Sequence, residues 1–274
     1  MAYMRSGDIK RPVKQKKSLS QIFLKATWPL QKMVDRLKSW DVTHVLEIGP
    51  GQGALTIPLL EAGFKVVAVE KDRGFADILE RKLADLGFQQ SCQIVQKDIL
   101  KYDVQGWLDS LPPEAKPAIV GNIPYKISTP ILVKSIPFLE KILGLMFLVQ
   151  AEFATRMVAA AGSKEYGSLS VFVQLRAKTT LEAKVKSECF RPKPKVDSAL
   201  VSLTPLQTMY PAPLLKSVES VTRAAFSQRR KKLRNGVRSF LKDRLGEGSP
   251  IDLDRRPETL SPLEFIELTR FLAS

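Results

Sequence analysis

Apolar positions along this chain follow two rhythms, and the rhythms alternate. Short, nearly unbroken apolar runs read as buried strands: Val45-Leu46-Glu47-Ile48, Val66-Val67-Ala68-Val69, Ala118-Ile119-Val120 and Leu145-Met146-Phe147-Leu148-Val149. Between them the spacing is helical. Leu30, Met33, Val34 and Leu37 share one face of a helix that starts near Pro29, and Phe75, Ile78, Leu79, Leu83 and Leu86 share one face of a helix over 72–86. Further helices are predicted over 54–61, from Ser128-Thr129-Pro130 to a break at Pro137, over 151–161 and over 169–178. Further strands are predicted over 93–99, 181–186 and 199–203. Strands alternating with helices predict a mostly parallel sheet covered on both faces. The last two strands have no helix between them and read as a terminal hairpin. After Pro205 the alternation stops, and 212–274 show helical patterning alone. The expected organisation is therefore a basic flexible tail over 1–20, a sheet domain over 21–207 and a small helical domain over 208–274.

Charge changes this picture more than composition does. With 44% hydrophobic and 26% charged residues the 274-residue chain has the make-up of a soluble globular protein. Its net charge of +15 and pI near 9.8, however, attract a polyanion, and nucleic acid is the first candidate partner. The cations cluster. Arg223, Arg229, Arg230, Lys231, Lys232, Arg234 and Arg238 fall within the helical segment, and a stretch so one-sided in sign repels itself unless it faces phosphates. Cys92 and Cys189 lie far apart and His44 is the single histidine, so a disulfide framework, a zinc site and a His-based triad are not expected. No apolar run approaches the ~18 residues of a bilayer span, and no apolar segment follows the N-terminal cations as in a secretory signal. A cytoplasmic protein without membrane association is expected.

Candidate chemistry gathers where strands end. Gly49-Pro50-Gly51-Gln52-Gly53 follows one strand directly and leads into a helix, a turn in which backbone N–H groups approach a ligand closely because no Cβ intervenes. The next strand ends in Glu70, about twenty residues beyond the glycines, the spacing at which an acid accepts from both ribose hydroxyls. The glycine spacing is not that of a dinucleotide fingerprint and no phosphate-binding lysine follows, which disfavours nicotinamide cofactors and ATP. Since ligands of parallel sheets sit outside the carboxyl ends of the strands, Glu47, Glu70, Asp98 and Asn122 are expected to face one crevice. Asn122-Ile123-Pro124-Tyr125 then forms a rigid polar-aromatic corner: Pro124 pins its neighbours, the Asn122 side chain and Ile123 carbonyl are acceptors, and Tyr125 offers a flat face to a planar base. The glycine-flanked loop over 162–168 reads as a mobile surface element, and Phe190-Arg191-Pro192-Lys193-Pro194-Lys195 as an extended loop presenting an aromatic ring and cations.

The order of elements resembles the class I S-adenosylmethionine-dependent methyltransferases, α/β proteins with a Rossmann-like, mostly parallel seven-stranded sheet and a terminal antiparallel hairpin, here followed by a small all-α domain. That resemblance implies that Gly49, Gly51 and Gly53 lie against the amino-acid portion of S-adenosyl-L-methionine, that Glu70 holds its ribose, that Asp98 meets its adenine amine and Ile99 stacks on its ring, and that Asn122 borders both cofactor and substrate. Asn122-Ile123-Pro124-Tyr125 looks like the motif of methyltransferases that modify exocyclic nitrogens of bases. A closer resemblance is to the ribosomal RNA adenine dimethyltransferases of the bacterial small-subunit type. It runs from Gln21-Ile22-Phe23-Leu24 through Tyr166-Gly167-Ser168-Leu169-Ser170 and Phe190-Arg191-Pro192-Lys193-Pro194-Lys195-Val196-Asp197-Ser198 to Ala225-Phe226-Ser227-Gln228-Arg229-Arg230-Lys231.

The family implies transfer of methyl groups to the N6 amines of two adjacent adenines near the 3′ end of 16S rRNA during small-subunit maturation. The partner it implies is 16S rRNA or a small-subunit precursor; domain length by itself suggests a monomer. Asn122, Ile123, Pro124 and Tyr125 would present the amine, with Tyr125 and Phe190 stacking on opposite faces of the base. Ile22 and Leu24 would border the cofactor. Ile22 departs from the Asn or His usual in the family, so only backbone contacts are expected there, as at Leu24. Two alternatives share the motifs: a large-subunit rRNA dimethyltransferase of the antibiotic-resistance type, and an RNA-binding ribosome-assembly factor without catalysis.

Overall fold

A computed structural model describes residues 23–241 and 248–273. The expectations for the tail over 1–20 and for Ile22 lie outside the described residues. Among the described residues nine strands run in chain order: β1 (Phe23–Leu24), β2 (His44–Ile48), β3 (Lys65–Glu70), β4 (Cys92–Gln96), β5 (Pro117–Asn122), β6 (Gly144–Gln150), β7 (Ala177–Val185), β8 (Phe190–Arg191) and β9 (Ser198–Pro205). Seven form one sheet in the order β4-β3-β2-β5-β6-β9-β7. The first five are parallel; β9 runs antiparallel to both β6 and β7. β5 and β6 read as continuous apolar runs because helices cover both their faces.

Side chains alternate across the pleat into two cores. Leu46, Ile48, Ile119, Leu145, Phe147 and Val201 point to one face. There they meet Trp107 of α4 (Val104–Asp109), Ile131 and Leu132 of α5 (Ser128–Ser135) and Met157 of α6 (Ala151–Val158). Val45, Ala68, Val120, Met146 and Leu200 point to the other, against Met33 and Leu37 of α1 (Trp28–Ser39), Leu59 of α2 (Thr56–Glu61) and Leu79 and Leu83 of α3 (Arg73–Asp85).

Several predicted boundaries move, each for a local reason. The helix expected to reach residue 161 stops at Val158, because Gln174 Nε2 donates to the Met157 and Ala159 carbonyls at 3.1 and 2.8 Å and so takes over helix-end acceptors. The helix expected over 169–178 is α7 (Ser168–Gln174). β7 begins at Ala177, where Lys178-Thr179-Thr180 pairs with Thr204-Leu203-Ser202 and the β-branched threonines suit the ladder. The strand expected over 93–99 ends at Gln96, and Asp98 instead caps a short 3₁₀ turn over Ile99–Lys101.

From α8 (Ala212–Ser227) onward the chain is helical, through α9 (Leu233–Gly236), α10 (Arg238–Leu241) and α11 (Pro262–Ala273). A third core of Val218, Val221, Ala225, Leu233, Phe265 and Leu268 continues into Val171 of α7 and Leu175 just after it. The loop over 162–168, expected to be mobile, is anchored in it. Tyr166 is 0% exposed and packs edge-on against Phe226 at 6.1 Å. Arg229 Nη2 donates to the Ser163 and Lys164 carbonyls at 3.2 and 2.6 Å, and the Gly162 N–H donates to the Glu258 carbonyl at 2.6 Å. Arg229 therefore works inside the protein rather than facing phosphate, and Lys232 and Arg234 both pair with Asp254. Arg223, Arg230, Lys231 and Arg238 are exposed.

The Tyr166 hydroxyl is buried without a partner, whereas its ring fills the seam between α7 and α8. Tyr166→Ala is expected to cost about 3–5 kcal/mol by opening a cavity. Tyr166→Phe, which deletes only the unpaired hydroxyl, is expected to leave stability unchanged or raise it by up to about 1 kcal/mol. Urea denaturation at constant m-value separates the two outcomes.

Candidate active site at the strand switch point

The strand order reverses between β2 and its two neighbours: the chain passes from β2 to β3 and β4 on one side, then returns to β5 and β6 on the other. The crevice outside such a reversal is where ligands of open sheets bind. The glycine turn after β2 forms one wall. Gly49, Gly51 and Gly53 all have φ in the left-handed region, at +66°, +57° and +86°. A Cβ on Gly49 would meet nothing within 4 Å, so the backbone there borders open space that a ligand can fill. Gly53 serves packing instead, since its Cβ would stand 2.6 Å from Leu79 Cδ1 of α3.

Two acids border the crevice in fixed poses. Glu70, at the end of β3, accepts from the Gly51 N–H through Oε2 at 3.0 Å and from the Asp72 N–H through Oε1 at 2.8 Å. The glycine turn is thereby tied to the carboxylate, and each oxygen keeps a further lone pair for a ligand hydroxyl. Asp98 accepts from Lys71 Nζ at 2.8 Å and from the Leu100 N–H at 3.0 Å, and these bonds hold its carboxyl below the usual carboxylate range. It is ionised at neutral pH and suits an amine donor. Ile99 beside it is 7% exposed and belongs mostly to the first core.

Glu47 does not join this set as expected. It precedes the last residue of β2, is 2% exposed, and its Oε2 and the nearby Thr56 Oγ are both buried without a hydrogen-bond partner. Burial pushes its carboxyl up to about 8, and the charge of Glu70 adds to it. Glu47 is thus a buried acid whose neutral form is favoured, unlike the ion-paired Asp98.

The corner after β5 faces the same crevice. Gly121 has no room for a side chain, since a Cβ would stand 2.8 Å from the Ile48 carbonyl oxygen; this lets β5 press against β2. Asn122 ends the strand half-buried. The Ile123 N–H donates to the Leu148 carbonyl at 2.9 Å and the Ile123 side chain is 1% exposed, which pins the backbone at that residue. Pro124 is extended and exposed, and Tyr125 opens a 3₁₀ turn with its hydroxyl 2.7 Å from Ser198 Oγ.

Phe190 departs from the expectation of an open face opposite Tyr125. It is 4% exposed and packs in the second core with Leu24, Val185 and Leu200. Its strand β8 pairs antiparallel with β1, Leu24 opposite Phe190 and Phe23 opposite Arg191, and the Lys25 and Ala26 N–H groups donate to the Cys189 carbonyl at 2.8 and 3.3 Å. This clasp sets two candidates, Leu24 and Phe190, side by side. Two-residue strands leave no periodic signal, so nothing in the sequence pattern announces it. From the same loop, Ser198 is what meets Tyr125, and Lys193 is paired with Glu188 at 2.7 Å. Among the described residues no cluster of metal-binding side chains occurs, and no helix is long and apolar enough to cross a membrane.

Comparison with known proteins decides the family. The family model described as ribosomal RNA adenine dimethylase matches residues 13–273. The chain belongs to that family. A relative from Francisella tularensis subsp. novicida, named ribosomal RNA small subunit methyltransferase A, is 37% identical to the dimethylase over 264 residues, covering 95% of this chain and 98% of its own. Relatives of the same name from Chlorobium phaeobacteroides and Saccharophagus degradans are each 38% identical, over 94% of this chain and 93% and 94% of theirs. Among solved structures, a dimethyladenosine transferase from Plasmodium falciparum aligns with a TM-score of 0.70 at 25% identity, over 90% of this chain and 95% of its own. The 23S rRNA methyltransferase ErmE aligns at 0.67 and 23% identity, over 92% and 100%, a likeness of fold. The dimethylase is an S-adenosylmethionine-dependent methyltransferase of rRNA adenine. Its crevice fits that cofactor: open space over Gly49, and acceptors at Glu70 and Asp98 for hydroxyl and amine donors.

Glu47 gives the dimethylase a defined pH response. An acid whose carboxyl titrates at 4.5 when unfolded and at about 8 when folded makes the folded state bind more protons between those values, so stability falls as pH rises through that window. Glu47→Gln, an isostere of the neutral acid, is expected to flatten the decline between about pH 5 and 8. Denaturation curves across that range check it; an unchanged slope would show that Glu47 is ionised in the folded protein.

Proposed function

We propose that the enzyme methylates the N6 amines of two adjacent adenines near the 3′ end of 16S rRNA, giving N6,N6-dimethyladenosine during small-subunit maturation. The small-subunit address rests on the names of the relatives, which match almost the whole length of the chain. The chemistry rests on one observation above all: the Asn122–Tyr125 corner stands at the switch point, next to the glycine turn. When bound, S-adenosylmethionine supplies an electrophilic methyl group on a sulfonium. The backbone of Leu24, Gly49 and Gly51 would border it, Glu70 would accept from its ribose hydroxyls, Asp98 from its adenine amine, and Ile99 would lie against its ring.

An adenine amine is a poor nucleophile because its lone pair is delocalised into the ring. The Asn122 side-chain oxygen and the Ile123 carbonyl would accept its N–H bonds, two before the first transfer and one before the second, which favours a tetrahedral nitrogen whose lone pair attacks the methyl carbon as the carbon–sulfur bond breaks and the nitrogen's proton passes to water. Catalysis is then orientation and electrostatics, with no dedicated general base. Pro124 fixes the spacing of the two acceptors, and Tyr125 stacks on the extruded base and offsets the cost of unstacking. Phe190, buried beside Leu24, supports the clasp over the cofactor and reaches the second face of the base only if β8 shifts. The helical segment over 208–274 is the RNA-binding domain, with Arg223, Arg230, Lys231 and Arg238 as its exposed cations. Three cores closed within one chain support a monomer, and a ribosomal precursor as substrate supports a cytoplasmic site of action.

Asn122→Ala is expected to lower methyl transfer about 10²–10³-fold, the scale on which loss of one aligned polar contact in an active site is felt. Incubation with labelled S-adenosylmethionine and unmethylated small subunits, followed by mapping of the modified nucleotides, reads this directly. Label in large-subunit RNA at an equal or greater level would assign the enzyme to the other ribosomal subunit. Absence of transfer by the wild type, with particle binding intact in Asn122→Ala, would assign it to assembly without catalysis.

A further inference from the structure

The hydrogen bond between Tyr125 and Ser198 joins two segments 73 residues apart. Ser198 is the first residue of β9. Because β9 runs against the parallel strands, its start lies at their carboxyl ends, on the crevice side. Its position is fixed from both sides: Ser198 pairs with Gln150 at the end of β6 and with Val185 at the end of β7. The residue before it is fastened as well. The Asp197 carbonyl accepts from the Ala151 N–H at 2.9 Å, and Asp197 Oδ1 accepts from the Ser187 N–H at 2.9 Å. Ser198 is 1% exposed, so its hydroxyl is a buried, immobile point.

Tyr125 is the opposite case. It stands half-buried on a 3₁₀ turn, between exposed Pro124 and exposed Lys126, and its ring plane is set by torsions that one bond at the far end of the ring restrains. We propose that Ser198 is a positioning residue for methyl transfer, its buried hydroxyl holding the Tyr125 ring in the plane on which the target base stacks. This inference rests on the role given to Tyr125 above. In its support, Ser198 is the only residue of the 190–198 loop with a hydrogen bond, among the described residues, to the Asn122–Tyr125 corner. A serine that merely satisfies its own hydroxyl in a strand has no need of a partner on a separate turn.

The test is a double-mutant cycle on methyl transfer to small-subunit particles. Ser198→Ala and Tyr125→Phe delete the same hydrogen bond from opposite ends, and the second keeps the ring and alters only a half-buried hydroxyl. Each is expected to lower kcat about tenfold, the factor one hydrogen bond commonly carries, with KM for S-adenosylmethionine unchanged. The double variant is expected to be no slower than either single one. Losses that multiply in the double variant, or a Ser198→Ala enzyme that only melts earlier and keeps wild-type kcat, would overturn the assignment. Tyr125→Ala separates this from the underlying reading: full activity there removes the stacking role itself, whereas loss there combined with multiplying single losses removes only Ser198.

Discussion

The site depends on a constraint that belongs to the sheet and not to the site. β5 and β6 are buried on both faces, so every backbone polar group in them must be satisfied along the ladder. Parallel strands meet that demand only in register, and register places their carboxyl ends at one edge. Ile48 pairs with Val69 on one side and Gly121 on the other, which brings the glycine turn and Asn122 to the same level. The absence of a side chain at Gly121 permits the approach, since a Cβ would meet Ile48 on the neighbouring strand. The crevice is thus a consequence of packing, and the polar residues occupy the places that packing leaves.

A second consequence follows from direction. In an otherwise parallel edge, β9 alone brings an amino end to the crevice, and it delivers Ser198 to Tyr125. The segment just before it leads from β8, which clasps β1 and holds Leu24 beside Phe190. Residues separated by more than 160 positions are thereby coupled through a two-residue ladder and a shared core.

The legible part of the fold was the part with a period. Strands with three or more apolar residues and helices with a full apolar face declared themselves, and so did the glycine turn and the acid of Glu70, whose spacing reflects one βαβ unit. What escaped has no period. The β1–β8 clasp is too short, the anchoring of the 162–168 loop depends on Tyr166 finding Phe226 across α8, and Arg229 is indistinguishable in sequence from its exposed neighbours Arg230 and Lys231. A run of cations states a total charge. Which of them are spent on carbonyls and carboxylates within the protein is settled only by tertiary contacts.

The same limit explains the three acids. Glu47, Glu70 and Asp98 look alike as carboxylates at or near strand ends, yet their surroundings give them different chemistry. Asp98 is paired with Lys71 and stays charged; Glu70 is held by two backbone N–H groups; Glu47 has an oxygen without a partner and is driven towards its neutral form. The charge of Glu70 adds to the burial that raises the Glu47 carboxyl, so the two acids beside one glycine turn are not equivalent. The division of labour comes from burial, which no residue type announces on its own.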